Sequence, residues 1–177
     1  MADKNLKHYV VVTLIPVNSE GKYLIAKRSE EEAAFPGLWT VPGGKITRED
    51  YINTPKDTAD SWYNVLEKAV VREVGEEAGL EVENIRYLLS LTYLRSDNIP
   101  TMIISLYCDY KAGEVDLSEE LTEHNWVSAG ELEDYHFVPG LREEIELVDE
   151  LLRSGEMRNW SGVYDSADDK SVRDGNS

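Results

Sequence analysis

One cysteine, Cys108, stands in a chain of 177 residues, so no internal disulfide can form and the composition fits a reducing cytosol. Cys108 ends the strand-like run Met102-Ile103-Ile104-Ser105-Leu106-Tyr107-Cys108, where a buried structural thiol is expected rather than a nucleophile. Basic residues are scarce: 18 Lys and Arg face 35 Asp and Glu, for a formal net charge of −17. Such a chain repels phosphates, which disfavours nonspecific binding to a nucleic-acid duplex; an anionic ligand would need a metal and local basic residues to be held. No run approaches about 18 apolar residues, so no membrane span is expected. The start, Met1-Ala2-Asp3-Lys4-Asn5, does not lead from a basic stretch into an apolar one and is not expected to be a signal peptide. There is no internal repeat. The length suits one domain, placed at 1–160; the remainder, 161–177, is rich in Ser, Gly and Asp and is expected to be a disordered acidic tail.

What is present is concentrated in Arg72-Glu73-Val74-Gly75-Glu76-Glu77-Ala78-Gly79-Leu80. At about 100° per residue a helix brings Glu73, Glu76 and Glu77 to one face. Three like charges so close repel, and a dication between them reverses the sign of that interaction, since carboxylate oxygens are natural ligands of Mg²⁺ and Mn²⁺. A solvated acidic face is the plain alternative. Against it, the same face runs back through Val70, Ala69, Leu66 and Trp62, so the acids continue an apolar stripe. Carboxylates at the end of an inward stripe are costly unless paired or metallated. The helix is expected over 61–78, with Asp60 or Ser61 as N-cap and Gly79 as its stop.

Strands are expected at 8–17, 23–28, 39–41, 84–95, 99–110 and 124–128, with a turn at Ser19-Glu20-Gly21-Lys22 and a hairpin signal at Ser96-Asp97-Asn98. A short helix is expected at 129–134. Leu141, Ile145, Val148 and Leu152 recur at helical spacing and predict an amphipathic helix over 139–153 that packs on a sheet. This order predicts an α/β fold with a mixed sheet covered on both faces.

The string from Arg72 to Leu80 resembles the second half of the Nudix box, G-x5-E-x7-R-E-U-x-E-E-x-G-U, where U is a bulky aliphatic. Every fixed position in that half matches. Pro42-Gly43-Gly44-Lys45 resembles the glycine pair that opens the box, and the order of elements is similar to the family's from about His8 to Leu152. The resemblance implies the Nudix α/β/α sandwich, with a mixed sheet and a loop–helix–loop metal site. The chain departs from the pattern through an insertion, roughly 47 to 61, between glycines and helix. Counting back eight residues from Arg72 reaches Asn64, where the family has its first glutamate; counting forward six from Gly44 reaches Asp50, beside Glu49. That acidic position is thus either lost to Asn64 or supplied by Asp50 or Glu49. The insertion itself, of loop composition, is expected to form a flap near the metal mouth.

The resemblance implies that Glu73, Glu76, Glu77 and the Gly44 carbonyl hold Mg²⁺ or Mn²⁺. Glu73 and Glu76 are both candidates for the catalytic base, and Arg72 is expected to pin a neighbouring carboxylate by a bidentate bond. A further metal glutamate from a later loop is sought among Glu119, Glu120 and Glu123, with Glu120 chosen. Arg28, Phe35, Leu38 and Trp39 resemble the lead-in of Nudix enzymes that hydrolyse nucleoside triphosphates; Arg28 could meet a phosphate and Trp39 could stack on a base or belong to the core. The proline past the box of ADP-ribose hydrolases and the S-Q-P-W-P-F-P-x-S string of NADH hydrolases are missing, and only part of the coenzyme A motif is present, at Lys27-Arg28-Ser29. The implied function is a cytoplasmic hydrolase of phosphoric anhydrides acting on a nucleoside diphosphate linked to another moiety, chiefly a nucleoside triphosphate. The alternatives are a nucleotide-sugar or dinucleoside polyphosphate hydrolase and a non-catalytic ligand-sensing module. The expected partner is a small nucleotide, with neither nucleic-acid duplex nor membrane, and a homodimer is left open.

Overall fold

The computed structural model describes residues 7–95 and 98–155. The expected acidic tail at 161–177 and two residues of the hairpin signal, Ser96 and Asp97, lie outside them. Seven strands form one mixed sheet. Strand β1 (Tyr9–Val17) runs parallel to β6 (Pro100–Ala112) over its whole length. On its other edge β1 pairs antiparallel with β4 (Gly43–Lys45) and, at Val17, with β2 (Tyr23–Arg28). Strand β2 in turn pairs with β3 (Trp39–Thr40) and β7 (Leu121–Val127), and β5 (Glu81–Leu94) pairs with β6.

Alternation along these strands divides the core into two layers. Val12, Leu14, Leu24, Leu106 and Cys108 face helix α2 (Val65–Ala78), whose Ala69, Val70, Val74 and Ala78 are buried against them. Ile15, Val17, Ile25 and Tyr107 face helix α3 (Leu141–Ser154), which buries Leu141, Ile145, Val148 and Leu151. Each large aliphatic side chain so buried contributes roughly 1.5–3 kcal/mol. Cys108 is free and buried, and burial pushes its thiol up to about 12, which suits a structural role. Among the described residues no helix is long and apolar enough to cross a membrane.

Several elements differ from the expected ones. Helix α2 starts at Val65 rather than 61, after Asn64 in the left-handed region at φ +55°, a conformation that Asn tolerates better than most side chains. The residues before it fold on themselves: Asp57 N–H donates to the Ser61 carbonyl at 3.0 Å and Tyr63 N–H to Asp57 Oδ2 at 2.9 Å. Trp62 therefore leaves the helical stripe and sits in the insertion, its Nε1 donating to the Thr54 carbonyl at 3.0 Å and its ring 5.3 Å from Tyr51. The insertion is also not all loop, since Glu49–Ile52 forms a one-turn helix, α1. The glycine pair itself is strand. Strand β5 begins at Glu81, three residues early, through register shifts around Asn84, whose φ of +52° interrupts the alternation that sequence reasoning relies on. The expected helix at 129–134 is a 3-10 helix, Ala129–Asp134.

Candidate active site

Strand β4 and the C-terminal half of α2 meet at the glycine pair. Gly43 lies opposite Thr13 and Gly44 opposite Val12 in the β1–β4 pairing. A Cβ on Gly43 would stand 2.8 Å from Thr13 Cα and overlap the Val12 carbonyl oxygen; a Cβ on Gly44 would overlap the Glu73 carboxylate. Glycine is needed at both positions for close approach, which is how backbone comes within reach of the acidic helix.

The three glutamates do not share one environment. Glu77 is buried, 9% exposed, and Gly43 N–H donates to its Oε2 at 2.9 Å. Burial pushes its carboxyl up to about 7; the Gly43 hydrogen bond and Arg28 pull it down, while Glu73 and Glu120 push it further up. Glu73 is half-buried, and burial raises it above the usual carboxylate range despite the guanidinium of Arg72. Glu76, one residue and about 100° round the helix from Glu77, lies on the exposed flank with its side chain 61% accessible. The single face expected for all three is thus a buried position, a rim and an outer flank.

Arg72 gathers the rest. Its Nη2 donates to Glu73 Oε1 at 2.9 Å, its Nη1 to Glu76 Oε2 at 2.7 Å, and Nε and Nη2 both lie 2.7 Å from Asp50 Oδ1. Burial lowers the guanidinium's pKa, but its carboxylate partners outweigh that and hold it above its ordinary value. Asp50, 2% exposed at its side chain, also accepts from Thr47 N–H at 2.6 Å and from the Thr47 hydroxyl at 3.2 Å. Of the three residues weighed for the missing acid, Asp50 is the one at the arginine. Asn64 is exposed at the far end of α2, eight residues from Arg72, and Glu49 is exposed.

Glu120 is brought within electrostatic reach of Glu77, because the 113–120 loop hooks onto the end of α2: Asp116 N–H donates to the Ala78 carbonyl and Ser118 N–H to the Glu77 carbonyl, each at 3.0 Å. Glu123 is instead tied to Lys27 at 2.8 Å. Arg28 donates to Glu32 at 2.6 Å and to the Ala34 carbonyl at 2.7 Å, so it shapes the loop that carries Phe35 and Leu38 while remaining close enough to act on Glu77. Phe35 is exposed, at φ +53°, with its ring 6.4 Å from that of Tyr93, and Leu38 is half-buried. Trp39 is not available for base stacking: it is 9% exposed and packs edge-on against Tyr135 at 4.9 Å, in the core beneath α3. The bulky indole fills the layer between β2 and α3, which outweighs any role at the surface.

A divalent cation suits this donor set. Glu77 is a buried carboxylate repelled by two others, and burial has already raised its pKa, so positive charge beside it is the missing compensation. The set is not closed around a fixed point, however: among the described residues no three His, Cys, Asp or Glu side chains stand ready as a cluster, because Arg72 draws Glu73 and Glu76 to itself.

The sequence model of the NUDIX domain matches residues 7–148. The chain belongs to the NUDIX family. Hydrolases of this family act on phosphoric anhydrides and generally use a divalent metal. It is 30% identical over 120 residues to the NAD-capped RNA hydrolase NudC of Photobacterium profundum, covering 67% of this chain and 38% of that protein, so it spans well under half of that relative's length. It is 24% identical over 144 residues to the nucleoside triphosphatase NudI of Escherichia coli strain K12, covering 74% of this chain and 90% of that one. The NUDIX domain of Shewanella oneidensis NrtR, solved with ADP ribose, shares the fold with a TM-score of 0.66 at 17% identity, over 86% of this chain and 94% of that one. In this Nudix chain the 47–61 insertion separates the glycine pair from the Arg72–Leu80 half of the box, and Asp50, within that insertion, bonds Arg72. What sequence reasoning missed is the Gly43 amide that holds Glu77.

Proposed function

We propose that this chain is a metal-dependent Nudix hydrolase that cleaves a nucleoside diphosphate linked to another moiety, chiefly a nucleoside triphosphate. The observation that carries the reading is the buried, metal-seeking Glu77, fixed by Gly43 N–H next to Glu73 and Arg72. Glu73, Glu76, Glu77, Glu120 and the Gly44 carbonyl would hold Mg²⁺ or Mn²⁺. Bound there, the cation supplies positive charge to the diphosphate oxygens and Lewis acidity to the attack on phosphorus.

The chain's own residues do the rest. Gly43 N–H holds Oε2 of Glu77 and so fixes the buried carboxylate beside the glycine pair. Arg72, braced by Asp50, fixes the rotamer of Glu73. Glu76 gives Oε2 to Arg72 and keeps Oε1 free on an exposed flank, where it can take a proton from the attacking water. Glu73 is the second candidate for that proton transfer. Arg28 and the loop bearing Phe35 and Leu38 form the near wall for the nucleotide. The name of the Escherichia coli relative, a nucleoside triphosphatase matched over most of its length, supports the choice of substrate. The single cysteine supports a cytoplasmic setting.

The test is a panel of nucleoside triphosphates, nucleotide sugars and dinucleoside polyphosphates, assayed for phosphate and pyrophosphate with Mg²⁺, with Mn²⁺ and with chelator. Metal-dependent release from triphosphates is expected. Turnover confined to sugar nucleotides or dinucleoside polyphosphates would replace the substrate, and saturable binding without turnover would make the chain a ligand sensor.

A further inference from the structure

Helix α1 is one turn long, too short to be stable by itself, and none of its residues is buried whole; yet the Asp50 side chain that it carries is almost fully enclosed at Arg72. Within the insertion, Thr47 N–H donates to Asp50 Oδ2 and Tyr63 N–H to Asp57 Oδ2, which fixes local turns. Lys68, one turn before Arg72 on α2, lies 3.8 Å from Asp57 Oδ2, but both groups are exposed, and such a pair contributes little. Trp62 reaches across the insertion. Its ring centroid lies 5.3 Å from that of Tyr51, the residue after Asp50, with an interplanar angle of 53°. Its Nε1 donates to the Thr54 carbonyl at 3.0 Å, and Lys56 Nζ stands 5.1 Å from its ring centroid. Both rings are half-buried. The ring contact joins positions 51 and 62, so that only a short loop is left to close between Asp50 and Arg72, which are 22 positions apart.

We propose that Trp62 is a positioning residue for the Asp50–Arg72 pair, acting through the ring of Tyr51. Asp50 and Tyr51 are consecutive on one helical turn and leave it about 100° apart. A Tyr51 ring held by Trp62 therefore sets the direction in which the Asp50 carboxylate leaves α1. Arg72 then gives Nε to Asp50, Nη1 to Glu76 and Nη2 to Glu73. Without the indole, α1 is free to turn, Asp50 leaves Arg72, and the guanidinium is left to the two glutamates. The ring contact is the essential part: the indole N–H bonds within the insertion and reaches neither α1 nor α2. The effect on turnover rests on the reading of Glu73 and Glu76 as residues of a hydrolase site; the positioning itself does not.

The test uses the ¹⁵N-labelled full chain, metal-free and at one pH. The readout is the Arg72 Nε–H resonance, identified by its loss in Arg72→Lys. Asp50→Ala gives the reference shift for an arginine without this partner. Trp62→Ala and Tyr51→Ala are expected to shift the resonance the same way. Trp62→Ala combined with Asp50→Ala should shift it no further than Asp50→Ala alone, since both cut one connection. Trp62→Phe keeps a ring against Tyr51 and should leave the resonance near its wild-type position. Tyr63→Ala removes the exposed ring next to Trp62 and keeps its backbone hydrogen bond, so it should leave the resonance in place. Val148→Ala, a cavity in the core beneath α3, should lower stability without moving it. On the nucleotide that the panel identifies, Trp62→Ala should lower kcat by the same factor as Asp50→Ala, on the order of tenfold or more, because displacements of about 1 Å can cost about a hundredfold in rate. Trp62→Phe should restore it. If Trp62→Ala does not fold, Tyr51→Ala carries the same test. An unmoved Arg72 resonance in the folded ring variants, an equal shift in Val148→Ala or Trp62→Phe, or a shift that adds to that of Asp50→Ala would overturn the proposal. The expected shifts in a protein that hydrolyses nothing on the panel would uphold the positioning and remove the hydrolase reading instead.

Discussion

Asp50→Asn removes the charge that an inserted segment delivers to Arg72 while keeping the side chain's shape. The wild-type carboxylate is almost fully enclosed and accepts from Thr47 N–H, the Thr47 hydroxyl and two nitrogens of Arg72. Burial alone would raise its pKa, yet the Thr47 and Arg72 hydrogen bonds outweigh that and hold it below the usual range. Breaking a fully buried ion pair costs about 3–5 kcal/mol. Here Arg72 retains Glu73 and Glu76 and is 35% exposed at its side chain, so the loss is smaller. Charge-assisted hydrogen bonds at about 1.5–3 kcal/mol give the better scale, and Asn still accepts one of them. A loss of about 2 kcal/mol corresponds to a fall in Tm of roughly 4–8 °C for a domain of this size. Because the folded pKa is depressed, this contribution is present above the unfolded pKa and is lost as pH falls through the folded one; the Tm difference between wild type and variant should therefore shrink in acid. Thermal unfolding across pH measures it. Glu49→Gln should be silent. Asn64→Glu should be neutral or harmful, since it puts a longer side chain into the left-handed region, at a cost of about 1 kcal/mol, and reaches no arginine. An unchanged Tm in Asp50→Asn together with a gain in Asn64→Glu would refute the reasoning.

Glu77, raised from 4.5 to about 7, binds a proton more readily folded than unfolded, so the metal-free protein should lose stability, on the order of 3 kcal/mol, as pH rises from 5 to 8. Mg²⁺ or Mn²⁺ should reverse that loss, and Glu77→Gln should abolish both the pH dependence and turnover; calorimetry with and without metal reads the first and the panel assay the second. Gly44→Ala drives a methyl into the Glu73 carboxylate and should lower kcat about a hundredfold or more without a matching loss of Tm; equal losses in Tm and rate would show a fold defect instead. Trp39→Leu should lower Tm by cavity formation, on the order of 3 kcal/mol, with KM unchanged, whereas a raised KM at constant Tm would return the indole to the substrate. Replacing 53–60 by a short turn keeps Asp50 on Arg72 and should alter KM or selectivity across the panel while sparing metal-dependent stabilisation; unchanged KM and selectivity would make the insertion a passive surface segment.

The box half from Arg72 to Leu80, the glycine pair, the two helices and most strands were legible in the sequence because each is written in short-range pattern. A 3.6-residue period made α2 and α3, β-rich apolar runs bounded by turn residues made β1, β2 and β6, and Gly79 at φ +68° ended α2 as expected. The chemistry of a carboxylate cluster on an apolar stripe is likewise a local statement. What the sequence could not supply depended on contacts between distant residues. Asp50 and Arg72 are separated by 22 positions, and the chain between them turns back so that one reaches the other. The unequal burial of Glu73, Glu76 and Glu77 follows from where β4 meets α2, which covers Glu77 and Glu73 and leaves Glu76, about 100° round the helix from Glu77, outside. Trp39 went to the core because α3 and Tyr135, about a hundred residues on, close over it. Periodicity fixed which faces were apolar and which residues were acidic; only the tertiary structure decided which acids are buried, paired or open, since desolvation and pairing energies depend on what lies a few ångströms away, whatever its place in the chain.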